Sequence, residues 1–451
     1  MSSENPRSKR LPNQPLHVYI CTQGCTLNRA DTQAMSALLE KGGHQIVRAV
    51  EEADAVIFNT CTVKDVGFRK FRKRLKRFRE QANDTPIIIA GCIPKANPDL
   101  EVLRKHHCIG PDHVESVVSV VEAAVRQRNA NGQTPPRHLL HEAASETVLR
   151  RISLQHAREQ KHIEIVPISK GCLGNCAYCK TKAARGHLVS YPVHAILERV
   201  RNAVRQGVTQ IWLTSQDCGC YGLDIGVDII SLLREIQEVS GDFIVRIGMA
   251  NPQYVHRFRV AWAEILQDKR FYSFLHVPVQ SGSDAVLRLM NRSYSRKECL
   301  DVLQFMRTEV PDITIATDII IGHPGEGDKE FAETQTFLEQ TKPEVVNRSR
   351  FVPQPKTPAA EMDKIDGALV KQRMKKLDGQ LKRIWKKKNL AIQGELFDVV
   401  SETHKKAGST LFRSHSYRPV IVEGEYPLGT WEKVRIIGST TYHLKGQLES
   451  Q

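Results

Sequence analysis

Four short apolar runs in this chain are each followed, within three residues, by a cysteine. His17–Thr22 (HVYICT) precedes Cys25, Ala55–Thr60 (AVIFNT) precedes Cys61, Pro86–Gly91 (PIIIAG) precedes Cys92, and Ile163–Ser169 precedes Cys172. Continuous apolar runs separated by amphipathic stretches are the pattern of buried parallel strands joined by crossover helices. In such sheets the carboxyl ends of the strands share an edge, and ligands bind there. Cysteines just past several strand ends therefore constrain fold and chemistry together.

Residues 16–128 read as one domain, with helices over Asn28–Lys41, Val63–Gln81 and His113–Arg128 following the first three strands in turn, giving an open doubly wound sheet. Residues 129–160 are polar, carry Asn131-Gly132 and Pro135-Pro136, and read as a linker. Over 161–389 the βα alternation resumes, with strand candidates Ile163–Ser169, Ile211–Thr214, Val245–Met249, Phe274–Val279, Thr314–Ile321 and Val345–Phe351. Six strands are too few for a closed eight-fold barrel, so the spacing predicts an open, partial (βα)6 barrel with its chemistry at the C-terminal strand ends. From 390 to 448 short alternating runs (Leu396–Val400, Val420–Val422, Lys433–Ile437) and glycine turns predict a small antiparallel β-barrel. The expected fold class is thus α/β with an all-β C-terminal module.

The N-terminus, MSSENPRSKRLPNQP, is polar and unlike a secretory signal, and no run approaches the roughly 18 apolar residues of a membrane span. It reads as a short disordered tail, and the expected compartment is the cytoplasm, with no membrane partner. Eleven cysteines in such a chain point to metal or redox chemistry before disulfides. Lys and Arg outnumber Asp and Glu by 65 to 50, a formal net charge of +15 that suits a polyanionic partner.

Gly171-Cys172-Leu173-Gly174-Asn175-Cys176-Ala177-Tyr178-Cys179 sets three thiols at CxxxCxxC spacing just past a strand. Three thiolates can bind three irons of a cubic [4Fe–4S] cluster and leave the fourth open. An open iron can chelate the amino and carboxylate groups of S-adenosylmethionine (SAM) and pass an electron to its sulfonium, and Tyr178 fits a residue packing over that ligand. The competing reading is zinc, which wants a fourth ligand; His162 and His187 are the nearest histidines and neither follows a zinc pattern.

With its neighbours, the triplet resembles the radical SAM superfamily. The run GCLGNCAYCKTKAARGHLVSYP is similar to the methylthiotransferase family, and more narrowly to its archaeal and eukaryotic branch acting on threonylcarbamoyladenosine in tRNA. The resemblance spans about 16 to 448. It extends to Gly24-Cys25-Thr26-Leu27-Asn28, Asn59-Thr60-Cys61-Thr62-Val63 and Gly91-Cys92, which match the family's amino-terminal elements. It implies that Cys25, Cys61 and Cys92 hold a second [4Fe–4S] cluster carrying the sulfur to be transferred. Asn28 and Asp31 open the following helix, whose N-terminus can stabilise an anionic cluster. Two clusters are chemically coherent, because carbon 2 of adenine has no leaving group and no usefully acidic proton.

The resemblance also assigns three strand-end segments to the SAM site: Thr214-Ser215-Gln216-Asp217, Val279-Gln280-Ser281-Gly282-Ser283-Asp284, and Thr317-Asp318 through Gly322-His323-Pro324-Gly325-Glu326. Gln216, Asp217, Gln280, Ser281, Asp318 and Tyr178 are the candidate cofactor contacts. Three features depart from the family: Cys218 and Cys220 form a pair where none is usual, His323 replaces a customary Phe, and Pro353–Pro358 lacks the usual Arg and Gly. Cys21, Cys108 and Cys299 read as structural.

For RNA, residues 68–79 (FRKFRKRLKRFR) carry eight cations, with Phe68, Phe71, Leu75 and Phe78 forming one apolar stripe. Arg72, Arg74 and Lys76 on the remaining faces are candidate phosphate contacts. A second basic run spans Lys371–Lys388, with Trp385 inside it. The terminal barrel resembles a TRAM domain, which makes Phe412, Arg413, Tyr417 and Arg418 candidates for stacking and phosphate contact. The expected function is methylthiolation of carbon 2 of threonylcarbamoyladenosine at position 37 of tRNA, in the anticodon stem-loop. It would need an electron donor and a sulfur source. The alternatives are methylthiolation of isopentenyladenosine or of a ribosomal-protein aspartate and, from another class, a non-catalytic metal-containing RNA-binding protein.

Overall fold

The computed structural model of the chain describes residues 14–62, 65–82, 84–130, 135–405 and 408–449. The N-terminal tail before residue 14 and the Asn131-Gly132 turn lie outside them. The chain divides into two compact units, residues 1–159 with 180–189, and residues 160–179 with 190–451. No helix among the described residues is long and apolar enough to cross a membrane.

The first unit is built on a six-stranded parallel sheet, in the spatial order Gln45–Val47, His17–Thr22, Ala55–Thr60, Ile87–Gly91, Cys108–Ile109, His138–Leu139. The central strands are the apolar runs of the sequence: Ala55–Thr60 and Ile87–Gly91 are buried at every residue, as a sheet covered on both faces requires. One face is covered by the helices Thr26–Lys41 and Val117–Asn129 and the other by the basic helix Asp65–Ala82. In that last helix Phe71, Leu75 and Phe78 recur at helical spacing and are buried. The Phe58 ring lies 5.3 Å from Phe71 and 5.6 Å from Phe78, and Tyr19 stands edge-on to Phe78 at 6.0 Å.

Of the stretch 129–160, expected to be a linker, residues 135–159 fold within this unit. His138–Leu139 adds the sixth strand, and Ser145–Arg150 forms a short helix whose Val148 is buried. Two-residue edge strands carry no readable alternation, so polarity alone suggested a connector. The edge strand Gln45–Val47, with three residues, is nearly as short.

The second unit begins with parallel strands Ile163–Pro167, Gln210–Thr214 and Ile244–Arg246, followed by Phe274–His276, Thr314–Ile321 and Val345–Arg350. They pair in chain order in two groups of three, linked by a single parallel bridge between Val245 and Phe271. This is the six-stranded partial barrel that the alternation predicts. Its strand residues are flanked by helices whose buried faces are aliphatic, such as Ile229, Leu232, Leu233 and Ile236.

The 25-residue helix Gly367–Ala391 leads into a closed five-stranded barrel of Leu396–Lys405, Ser409–Ser414, Pro419–Glu423, Trp431–Ser439 and Leu444–Leu448. Val399, Phe412, Val420, Val434 and Leu444 fill its interior. At Gly446 an added Cβ would lie 2.2 Å from Val434 and 2.8 Å from Val420, so the wall closes only with glycine there.

Phe71→Ala removes a fully buried ring and is expected to destabilise the first unit by about 3–5 kcal/mol. Arg72→Ala, one residue on and solvent-exposed, should change stability by about 0.5 kcal/mol or less. Urea denaturation followed by the first unit's own transition checks the pair.

Candidate cluster sites

The cysteines of the first unit follow adjacent parallel strands, so they emerge at one sheet edge. Cys25 caps the helix Thr26–Lys41, Cys61 follows Ala55–Thr60 and is buried, and Cys92 opens the short helix Cys92–Ala96 and is buried. None of the three is in a disulfide. Their common neighbour is Asn28, which is fully buried. Its side-chain oxygen lies 3.4 Å from the Cys25 sulfur and 3.9 Å from the Cys92 sulfur. Its amide nitrogen donates to the Thr60 carbonyl at 2.8 Å, and Asn59 donates back to the Asn28 carbonyl at 2.8 Å.

Two glycines shape this edge. Gly24 (φ +127°) would bring a Cβ to 2.6 Å from the Cys61 Cβ and 3.1 Å from its sulfur, and Gly91 (φ +87°) would bring one to 2.3 Å from the Asn59 side-chain oxygen. Both positions need a left-handed backbone and no side chain.

Behind Asn28 stands Asp31, 3% exposed, paired with Arg151 and with Arg185, whose Nη2 is 2.7 Å from Oδ2. The same Nη2 donates to Asn28 Oδ1 at 3.2 Å. Burial pushes the Cys92 thiol up, and the Arg185 guanidinium pulls it partly back. The Nε and Nη1 atoms of Arg185 are buried and have no hydrogen-bond partner. Unmatched cationic donors beside a set of three cysteines fit a bound anionic sulfur cluster.

In the second unit, Gly174 lies between two of the three sulfurs: its N–H donates to Cys172 Sγ at 3.2 Å, and a Cβ there would sit 3.4 Å from Cys172 Sγ and 3.6 Å from Cys176 Sγ. Cys176 Sγ accepts from Arg292 Nη1 at 2.7 Å. Arg292 also bonds Asn251, and Asn251 donates to Asp217 through its side chain at 2.6 Å and its backbone at 3.1 Å. A polar chain therefore runs from the thiol triad to Asp217. Gln216 accepts from the Gly171 N–H at 2.7 Å and so fixes the start of the cysteine loop. Among the described residues no three His, Cys, Asp or Glu side chains are close enough to share a single metal ion. The ligands of a cubane stand at separate corners and are spaced wider.

The remaining sequence candidates fall as follows. Asp217 is fully buried, its carboxylate engaged by Asn251 and the Gly219 N–H, and burial pushes its pKa up. Gln280 takes φ +73° and joins its backbone to Asp318 and Ile320. Ser281 pairs with Thr334, and Asp318 accepts from His276 at 2.9 Å. Gly282 admits the helix Asp328–Thr341, since a Cβ would lie 2.7 Å from Thr334. Tyr178 is half-buried and edge-on to His323, which is itself buried against Phe351. His162 donates to the Glu402 carbonyl at 2.9 Å, so that ring nitrogen is already used.

Cys218 and Cys220 are both buried. The Cys220 thiol is hydrogen-bonded with Cys172, which together with burial pushes it up; burial raises Cys218 to about 11. Burial likewise raises Cys108 to about 12.

On the candidate RNA faces, Arg72 and Lys76 are exposed, Lys76 near Glu80, while Arg74 donates to Cys21 Sγ at 3.1 Å. Arg413 makes a forked pair with Glu402 and lies 4.4 Å over Tyr417. Phe412 fills the barrel interior, which corrects its assignment as a stacking residue: successive residues of a strand face opposite sides, and here the aromatic one faces in. Arg418 is half-buried, with its N–H on Ser414.

Arg292 and Asn251 are absent from the sequence reading, and Arg185 enters it only within the run GCLGNCAYCKTKAARGHLVSYP, with no role assigned. Lone arginines and asparagines outside a recurring pattern carry no signal of the site they serve.

Residues 166–338 match the Radical SAM superfamily model, and residues 17–109 match Uncharacterized protein family UPF0004. The partial barrel with its thiol triad is that of a radical SAM protein. A structure of a radical S-adenosylmethionine methyltransferase from Kitasatospora setae superposes with a TM-score of 0.53 at 13% identity, over 77% of this chain and 75% of that one. A cobalamin-dependent S-adenosylmethionine radical enzyme gives 0.50 at 12% identity, over 83% of this chain and 58% of that one. Among curated relatives, the probable threonylcarbamoyladenosine tRNA methylthiotransferase of Pyrococcus abyssi is 35% identical over 96% of this chain and 99% of its own length. The threonylcarbamoyladenosine tRNA methylthiotransferase of Homo sapiens is 35% identical over 95% of this chain and 73% of its own. The chain belongs to the threonylcarbamoyladenosine tRNA methylthiotransferase family.

Gly24→Ala forces a Cβ against Cys61 and is expected to cut bound iron from about eight to about four atoms per chain after anaerobic reconstitution. Gly379→Ala, on a helix with open space around it, should leave the count unchanged. Iron and sulfide assays on both variants decide it.

Proposed function

We propose that this chain methylthiolates carbon 2 of threonylcarbamoyladenosine at position 37 of tRNA, in the cytoplasm, holding one [4Fe–4S] cluster on Cys25, Cys61 and Cys92 and a second, with SAM, on Cys172, Cys176 and Cys179. The observation that carries the reading is the presence of two triads of cysteines outside any disulfide, each following parallel strands at their carboxyl ends. A non-catalytic RNA-binding module has no use for two such open sets. Together these groups supply an electron, a hydrogen-abstracting radical, a sulfur atom and a methyl group. An electron donor and a sulfur source are required as partners.

The protein's own part is placement. Gln216 fixes the entry of the cysteine loop through the Gly171 N–H. Arg292 donates to Cys176 and favours its thiolate form, and Asn251 keeps that guanidinium in position against Asp217. Glu326, buried and paired with Arg373, accepts the Gly322 N–H and so sets the turn after Thr314–Ile321. In the first unit, Asn28 and Asn59 bind the Cys25 and Cys61 loops to each other.

The deciding experiment measures iron, sulfide and modified nucleoside for the wild type, Cys25/Cys61/Cys92→Ala and Cys172/Cys176/Cys179→Ala. Each triple variant is expected to hold about four of about eight irons, and neither should form the methylthio nucleoside by tRNA mass mapping. Wild type should act poorly on tRNA lacking the threonylcarbamoyl group; efficient turnover of that RNA contradicts the choice of substrate.

The exposed cations of Asp65–Ala82 are the proposed grip on the tRNA backbone. Arg72→Gln with Lys76→Gln should weaken tRNA binding and reduce the slope of log K against log[salt] by about 0.7–0.9 per cation removed. Titrations at several salt concentrations read this directly, and an unchanged slope removes the helix from the interface.

A further inference from the structure

The geometry points to Arg185 as a positioning residue for the sulfur cluster at Cys25, Cys61 and Cys92, donating its Nε–H and Nη1–H to cluster or thiolate sulfur while Asp31 holds its other edge. The inference rests on the proposed binding of a cluster by those three cysteines. Arg185 is 1% exposed and ends the short helix Thr181–Arg185. Ala184, next to it, packs against Cys92 and Ala96, which seats the helix end at the thiol edge.

A guanidinium has five N–H donors and no acceptor, and burying one without partners is costly. Here Nη2 is used twice, on Asp31 at 2.7 Å and on Asn28 at 3.2 Å. The Asn28 oxygen that receives it is the same atom that lies 3.4 Å from Cys25 Sγ and 3.9 Å from Cys92 Sγ. The guanidinium is thus one atom removed from two of the three thiols, with two buried donors still open. If its role were only to neutralise Asp31, a forked pair using both edges of the carboxylate would be the better geometry. Asp31 instead receives Arg151 as well, so two cations face one carboxylate.

Three thiolates on an oxidised [4Fe–4S] core carry a net negative charge. Hydrogen bonds to the sulfurs and a nearby cation both favour the reduced state and raise the potential. Arg185 therefore sets the electron affinity of this cluster and fixes its orientation, without touching the substrate.

The test uses the full-length chain in the Cys172/Cys176/Cys179→Ala background, so that any iron present reports the first triad alone. Absence of iron there defeats the cluster assignment itself, separately from the role of Arg185. With about four irons bound, potentiometric titration followed by electron paramagnetic resonance compares wild-type Arg185 with Arg185→Lys and Arg185→Gln. Each variant is expected to disfavour reduction at least tenfold, about 59 mV for one electron, with Gln the larger. Because Gln leaves Asp31 short of a cation and risks misfolding, a second measurement needs no loss of stability. In protein labelled with 15N-arginine, pulsed paramagnetic resonance of the reduced cluster should show a coupled guanidinium nitrogen that Arg185→Lys abolishes. An unshifted potential in Arg185→Lys, or no coupled nitrogen in the labelled protein, overturns the proposal and leaves Arg185 as a counter-ion to Asp31.

Discussion

A carboxylate stays charged in a protein interior only with cations beside it, and Asp31 has two. It sits one helical turn beyond Asn28, and its partners come from distant parts of the chain, Arg151 and Arg185. Removing any one member of such a buried set costs about 3–5 kcal/mol, because the remaining charges lose their compensation. That single ionic cluster therefore ties the strand-end loops of the first sheet to the segments that follow it. It also holds two unmatched N–H groups of Arg185 in the interior and fixes Asn28 beside Cys25 and Cys92. The apolar sheet below supplies most of the burial, but the sheet alone does not decide where the functional side chains point.

The second unit solves the same placement problem without a buried carboxylate pair at the thiols. Its cysteines are close in sequence, so one loop delivers all three, and Gly174 lets two sulfurs flank the backbone. Orientation comes from a linear chain of hydrogen bonds, Cys176 to Arg292 to Asn251 to Asp217, in which each polar group is matched by the next. Asp217 is accordingly buried and occupied by protein donors, so its effect on the site passes through Asn251 and Arg292.

Much of this was legible in the residues. The apolar runs ending at Thr22, Thr60, Gly91 and Ile321 reappear as strands with those same ends, because a parallel strand covered on both faces is built mainly from apolar residues. The thiol triads follow from that, since cysteines just past adjacent strand ends must share an edge. What escaped has physical reasons. His138–Leu139 is too short for periodicity, so an edge strand looked like a connector. Phe412 looked like a stacking residue because resemblance to an RNA-binding barrel does not say which strand face a residue takes, whereas strand alternation sends it into the barrel. Arg185 and Arg292 stand in stretches where a basic residue is unremarkable, and only their burial and the identity of their neighbours distinguish them from surface cations.

The first unit is discontinuous: residues 180–189 belong to it although residues 160–179 do not. A chain leaving the ribosome at about 5–20 residues per second exposes Cys25, Cys61 and Cys92 well before Arg185 has been made. During that interval Asp31 lacks one of its cations and the thiol edge lacks the helix Thr181–Arg185, so the first sheet can collapse but its sulfur site stays unfinished. The stretch that completes it begins one residue after Cys179. Synthesis of the last thiol of one triad is thus followed at once by the residues that close the other, which places both sites in the same narrow window of the protein's biogenesis.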